Sequence, residues 1–259
     1  MIVVEERDNT WRLVTQPEHA RLAGELAGRW SRPDPLPAAA WPRLVEAVRR
    51  HDEGWAEAER EPAIDERGRP HTFKSLPTAA HADIWRCTID GLAEADAYVA
   101  LLVALHGRWL YTRMARPGQR DDPAAVALLQ ELAHRIDELL DRLRRDEPGL
   151  AEALTPRTLE IARRLLGLLD AWSLMLVGGL SPGRFPEPVA FGAETAQIEI
   201  EPGAPAVRVA PWPFAEPGPF DLAVAARWIP ARRYRNALDV AHTLRKANVG
   251  QLRFRVIPP

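Results

Sequence analysis

The sequence predicts a mainly α fold: a helical body that carries a small antiparallel β-sheet formed by the N-terminal hairpin and the C-terminal strands. Three observations predict it. Between residues 17 and 180, apolar residues recur at helical spacing, in segments that open on Pro, Asp or Thr and stop at Gly or Pro. The flanks, residues 1–16 and 190–259, hold short β-type runs separated by turn residues. No internal repeat and no clean linker divides the 259 residues, so one domain spanning 1–259 is expected.

Ile2–Glu6 and Trp11–Val14 read as strands around an Asp8-Asn9 turn. Pro17 opens a helix that runs to Trp30, because proline's missing N–H costs nothing in a first turn. That helix puts His19, Leu22, Leu26 and Trp30 on related faces, and Ser31–Pro37 breaks it off. A second helix, Ala38–Glu59, turns Trp41, Leu44, Val45 and Val48 inward and runs through His51-Asp52-Glu53-Gly54-Trp55. Glu61–Pro77 reads as a long irregular loop, of a length that in compact domains is often functional.

Four more helices follow, over Pro77–Glu94, Ala95–Met114, Pro123–Arg145 and Pro156–Val177. The third is the best marked. Asp121 or Asp122 caps it, Pro123 opens it, and Val126, Leu129, Leu132, Ile136, Leu139 and Leu143 form its apolar stripe. Thr155-Pro156 opens the last and Gly178-Gly179 ends it. Ser181–Pro188 is a turn-rich crossing. Strands are then expected at Gln197–Glu201, Ala206–Val209, Leu222–Trp228 and Gln251–Ile257, with a short helix, Ala231–Lys246, between the last two.

Composition narrows the function classes. Thirty-four basic residues against 36 acidic ones give a formal charge of −2, which offers no field to draw nucleic acid or anionic lipid. The longest apolar runs, Ala97–Leu105 and Leu168–Val177, fall short of the ~20 residues that a bilayer needs. From the acidic, alternating start no signal peptide is expected, and a single cysteine, Cys87, fits a reducing cytoplasm. The expected partner is a small molecule, without nucleic acid or membrane.

Ionisable groups that interrupt apolar helices carry the chemical signal. His51-Asp52 follows Leu44, Val45 and Val48; His106 lies between Tyr98–Leu105 and Trp109-Leu110; Asp170 lies inside Leu165–Leu176. A carboxylate in such a run is expected to be buried, and a buried charge must be paired or bound to a metal. Imidazole and carboxylate ligands suit a divalent Mn, Fe, Zn, Ni or Mg ion. The competing readings are structural. His19 can cap its helix, His51-Asp52 can be a hydrogen-bonded pair at a helix end, Asp170 can hold a backbone or arginine donor, His106 can be a satisfied core residue and His81 a surface one.

The order His19, His51-Asp52, Asp170 resembles the ligand pattern of the HD-domain metal-dependent phosphohydrolases, with His81 and His106 placed where two-metal members add histidines. The resemblance implies an HD-like helical bundle with His19, His51, Asp52, His81, His106 and Asp170 around metal. It implies hydrolysis of a phosphate ester or phosphoanhydride, a nucleotide-like substrate among the candidates. Asp52 and Glu53 would serve the attacking water, and Arg29, Lys74, Arg108 and Arg113 the substrate phosphate. A second resemblance covers nearly the whole chain. Gln16-Pro-Glu-His-Ala20, His51-Asp-Glu-Gly-Trp55, the 62–73 segment, Tyr98–His106, Leu168–Leu174 and Pro211-Trp-Pro-Phe214 are similar to the bacterial domain of unknown function 3891. That family implies no activity.

The alternative in another class is a non-catalytic small-molecule binding or sensing protein that uses the same helical pocket. Nine tryptophans, among them Trp30, Trp55, Trp85, Trp109 and Trp172, are read first as core and second as a wall for a ring-bearing ligand. Glu131-x-x-His134 and Asp239-x-x-His242 read as solvated helix faces. There is no Walker A loop, dinucleotide fingerprint, His-Glu-x-x-His or Gly-x-Ser-x-Gly elbow.

Overall fold

A computed structural model describes residues 1–113, 119, 121–181, 185–202 and 206–259. The chain opens with strands β1 (Ile2–Glu5) and β2 (Thr10–Val14), joined by a turn in which Asn9 takes a left-handed backbone, φ 59°. Asparagine tolerates that conformation better than most residues. Helix α1 (Gln16–Arg29) follows. Its N-cap Thr15 accepts from the Glu18 N–H, and proline stands in its first turn.

The long second helix of the prediction is two. Helix α2 (Trp41–Arg50) ends at His51, and α3 (Trp55–Ala58) restarts after Gly54. Packing forces the break. A Cβ on Gly54 would stand 2.2 Å from Thr88 Oγ1 and 2.8 Å from the Ile84 carbonyl oxygen, so only glycine lets this turn sit against the next helix. That next helix is α4 (Thr78–Ala95), followed by α5 (Ala97–Arg113), α6 (Pro123–Asp146), a single 3-10 turn at Pro148–Leu150, and α7 (Pro156–Leu176). Met114, the predicted end of α5, and residues 182–184 of the predicted crossing lie outside the described residues.

Helix α5 is buried nearly all round and packs on α2, α4, α6 and α7, while α1 packs on α2 and α7. The apolar stripe of α6 is shifted by one residue at its start. Ala125 and Leu128 are buried, Leu129 is half-buried and Val126 is 41% exposed, and the stripe then continues through Leu132, Ile136, Leu139 and Leu143 as predicted.

After α7 come a short pair, β3 (Val189–Phe191) with β4 (Glu194–Ala196), then β5 (Glu199–Pro202), β6 (Ala206–Ala210), β7 (Phe220–Pro230), α8 (Ala237–Lys246) and β8 (Val249–Ile257). The main sheet has six strands in the order β1-β2-β7-β8-β6-β5. Every pairing in it is antiparallel except β6 with β8.

The mainly α prediction is therefore corrected. Helix makes up about 49% of the protein and strand about 19%, and the sheet is a six-stranded mixed one curled into a half-barrel, an α/β fold. The physical reason is β7. Its eleven residues pair with β2 on one edge and β8 on the other, which joins the two chain ends into one continuous sheet. Helix α1 packs on β7 and so couples the sheet to the helices that hold the site. No helix among the described residues is long and apolar enough to cross a membrane.

Candidate metal centre

Four elements deliver five ionisable side chains to one point. His19 comes from the first half of α1, His51 and Asp52 from the turn after α2, His106 from α5 and Asp170 from α7. All five are at most 8% exposed. Neighbours on a helix diverge by about 100°, yet at this helix end His51 Nε2 and Asp52 Oδ2 come within 3.7 Å of each other.

The hydrogen bonds fix which nitrogens face inward. His51 Nδ1 lies 2.8 Å from the Val48 carbonyl oxygen, which can only accept, so Nδ1 carries the hydrogen. His51 Nε2 then points at two carboxylates, 3.7 Å from Asp52 Oδ2 and 3.5 Å from Asp170 Oδ1, and makes no hydrogen bond although it is buried. His19 is set in the same way. The Ser173 hydroxyl donates to the Asp170 carbonyl oxygen at 2.9 Å, so its oxygen is left to accept from His19 Nδ1 at 2.9 Å. His19 Nε2 stands 2.7 Å from Asp52 Oδ2, a contact that needs a proton or another cation between the two atoms. His106 Nε2 lies 3.2 Å from Asp170 Oδ2, and its Nδ1 is buried without a partner.

The ligand atoms form two overlapping groups, His19-His51-Asp52 and His51-His106-Asp170, each with its atoms within 4.8 Å of one another. His51 belongs to both, and with Nδ1 occupied it has one lone pair to give. Nε2 of His51 can serve one cation at a time. Imidazole nitrogens with carboxylate oxygens fit a divalent transition ion or Mg.

Electrostatics agree. Burial alone would depress His51, but the Asp52 and Asp170 charges outweigh it and push the pKa up to about 9. Burial would raise both acids, yet His51 and His19 hold Asp52 below the usual carboxylate range, and His106 and His51 do the same for Asp170. His106 moves the other way, because burial depresses it more than Asp170 supports it. The pocket thus keeps two carboxylates ionised and attracts positive charge.

A cavity of about 460 Å³ opens beside this cluster, with His51, Asp52, His106 and Asp170 on its wall. Most of the rest is apolar, including Trp55, Trp85 and Trp109. Gly107 admits the Trp85 ring against α5, since a Cβ there would lie 2.9 Å from ring carbons. Trp30 and Trp172 instead pack on Phe214 and are not on the cavity wall.

The remaining predicted residues divide. Lys74 reaches the cavity from the 61–77 loop. His81 lines it too, with Nδ1 2.9 Å from the Tyr111 hydroxyl, but it stands beyond the Trp85 ring and is in neither ligand group. Glu53 is held by Arg50, with Nη2 to Oε1 at 2.8 Å, and is not on the wall. Arg29 sits beside Glu216 and over the Phe220 ring, and Arg108 and Arg113 are exposed; none of the three lines the cavity. The sequence reading missed Ser173, whose only signal was its place three residues after Asp170, on the same helical face.

A family model described as protein of unknown function (DUF3891) matches residues 1–231. No curated protein and no solved structure gives a match. Nothing in these comparisons supports the resemblance to the HD-domain phosphohydrolases.

Proposed function

Starting from the fact that the chain belongs to the DUF3891 family, we propose that it is a metal-dependent hydrolase of a phosphate ester. One observation carries the reading: the Nε2 atoms of two imidazoles converge on two buried carboxylates beside a cavity of small-molecule size. His51, Asp52 and Asp170, with His19 and His106 beside them, would hold a divalent cation, which would supply a Lewis acid and a water acidic enough to ionise near neutrality.

The chain's own groups divide the remaining work. Asp52 turns a carboxylate to the cavity and orients the attacking water. Lys74 neutralises the phosphate at the wall. His81, hydrogen-bonded to Tyr111 on the cavity wall, is the residue we assign to give a proton to the departing oxygen. Phe73 and the apolar wall keep bulk water from the bond that breaks.

Release of 4-nitrophenol from 4-nitrophenyl phosphate with added Mn tests the reading. Wild-type protein is expected to turn over and Asp52→Asn to lose at least about a hundredfold. Metal-loaded wild type that stays inert on a panel of mono- and diesters removes it. One observation favours a second reading, a non-catalytic binding protein: Lys74 is the sole lysine or arginine among the described residues of the wall, which is little charge to stabilise phosphoryl transfer.

A further inference from the structure

We infer that the ester taken by this cavity carries a flat aromatic ring on the side that leaves, together with a single phosphate; the inference rests on the phosphoester reading above. The ring wall begins at the metal centre itself. His106, which touches Asp170, lies nearly parallel to Trp109, with centroids 6.2 Å apart and planes 21° apart, and Trp109 in turn meets Phe185 at 6.0 Å. Trp85 lies 6.2 Å from His106, and Trp55 lies 5.2 Å from His81. A group leaving phosphorus at this centre therefore departs along a wall that carries Trp55, Trp85 and Trp109. Aromatic partners gain there from offset or edge contacts beyond simple burial of area.

Two unpaired polar atoms on the wall point the same way. Trp85 Nε1 is a buried donor and Gln16 Oε1 a buried acceptor, and neither has a hydrogen-bond partner. Buried polar groups without partners are uncommon in folded proteins. An aliphatic alcohol leaves the indoles of the wall without a matching face.

Charge sets the number of phosphates. A divalent ion offsets Asp52 and Asp170, and Lys74 is then the lysine or arginine left on the described wall for the substrate. A monoester dianion is close to balanced by that arrangement, and a polyphosphate is not. In the reaction the P–O bond to the ring-bearing group breaks, the water oxygen bonds to phosphorus, and the displaced oxygen takes up a proton. The products are a ring-bearing alcohol or phenol and inorganic phosphate.

The test is calorimetric titration of the full chain loaded with Mn, using probes that cannot be hydrolysed, with metal content measured in parallel. 1-Naphthylphosphonate is expected to bind about tenfold or more tightly than methylphosphonate, and tighter than inorganic triphosphate. Trp109→Leu is expected to erase the preference for the naphthyl group. Met175→Trp, which fills the cavity without removing its wall, should do the same while metal content stays at the wild-type level. The methylenephosphonate analogue of adenosine 5′-phosphate, whose P–C bond does not hydrolyse, separates the two sources of such a ring. Tighter binding than naphthylphosphonate assigns the ring to a base, and weaker binding assigns it to a phenol, both within the inference. Equal binding of naphthyl- and methylphosphonate to metal-loaded protein overturns it and leaves the metal reading intact. A naphthyl preference that Trp109→Leu abolishes, in protein that takes up no metal, keeps the aromatic slot and removes the hydrolase.

Discussion

His51 Nε2 and Asp170 Oδ1 face each other at 3.5 Å across the joint between α2 and α7, buried and without a hydrogen bond between them. Two groups so placed ask for a cation. The protein is expected to bind about one equivalent of Mn, Fe, Zn or Ni. His51→Ala and Asp170→Asn are each expected to abolish binding, as read by elemental analysis after dialysis. Saturating metal at a hundredfold over Kd should raise stability by about 2.7 kcal/mol, visible as a higher melting temperature that neither variant shows. Unchanged metal content with merely lowered melting temperatures would reduce both residues to structural partners.

Ser173 gives a sharper test, because it touches no ligand atom that faces the cavity. Its oxygen receives His19 Nδ1, and its hydroxyl hydrogen is held by the Asp170 carbonyl, so it sets which nitrogen of His19 looks toward Asp52. Outer partners of this type are worth roughly 10–100-fold in metal affinity. Ser173→Ala is expected to weaken Mn binding by that factor and to leave the fold intact by circular dichroism. A variant that melts lower yet binds metal with wild-type affinity shows the hydroxyl to be a packing group.

Much of this centre was legible in the sequence, for a physical reason. Acids and histidines inside apolar helical runs must be paired, and His51, Asp52, His106 and Asp170 are residues that interrupt or end such runs; His19, in Gln16-Pro-Glu-His-Ala20, interrupts none and was reached only through the HD-domain resemblance. The phosphate-side residues were less legible. Arg29 lies ten positions along α1 from His19, about 15 Å at 1.5 Å per residue, and no one-dimensional pattern fixes which end of a helix faces a cavity. The break at residues 51–54 was hidden because it depends on Thr88, which belongs to another helix. The strand content was underread for a similar reason. β3 and β4 are three residues each, and β7 extends past its sequence signal because partners on both edges hold it.

The Gly54 contact gives a third prediction. Adding one methyl group drives it into the Thr88 hydroxyl and the Ile84 carbonyl, so α4 or the 51–54 turn must shift. Overpacking of this kind costs about 1–3 kcal/mol. Gly54→Ala should therefore unfold at lower urea than wild type. It should also hold metal more weakly, because His51 and Asp52 ride on the displaced turn. A double variant, Gly54→Ala with Thr88→Ala, removes part of the clash and is expected to recover part of both losses. Full stability in Gly54→Ala alone would show that the turn has slack that the packing distances deny.

The pH dependence of stability is the last. Arg163 is buried with its guanidinium 5.0 Å from the centre of the Trp109 ring, and its Nη2 reaches Glu160 and Glu187 at 2.8 Å each. The bond from Arg163, helped by Arg164 and opposed by partial burial, draws Glu160 from an ordinary 4.5 down to about 2. A depressed acid favours the folded state wherever it is ionised in both states. Its contribution is therefore complete above about pH 4.5 and is lost progressively as the pH falls toward 2. Melting temperatures taken from pH 6 to 2 should drop more steeply through that window for wild type than for Glu160→Gln, and the two curves should converge at the acid end. Because Arg163 braces the ring that lines the cavity, Trp109 emission should shift over the same window in wild type, against a Trp109→Phe control that isolates its signal. A wild-type curve parallel to that of Glu160→Gln throughout would mean that Glu160 titrates alike in the folded and unfolded chain, and that the brace on Trp109 rests on Glu187.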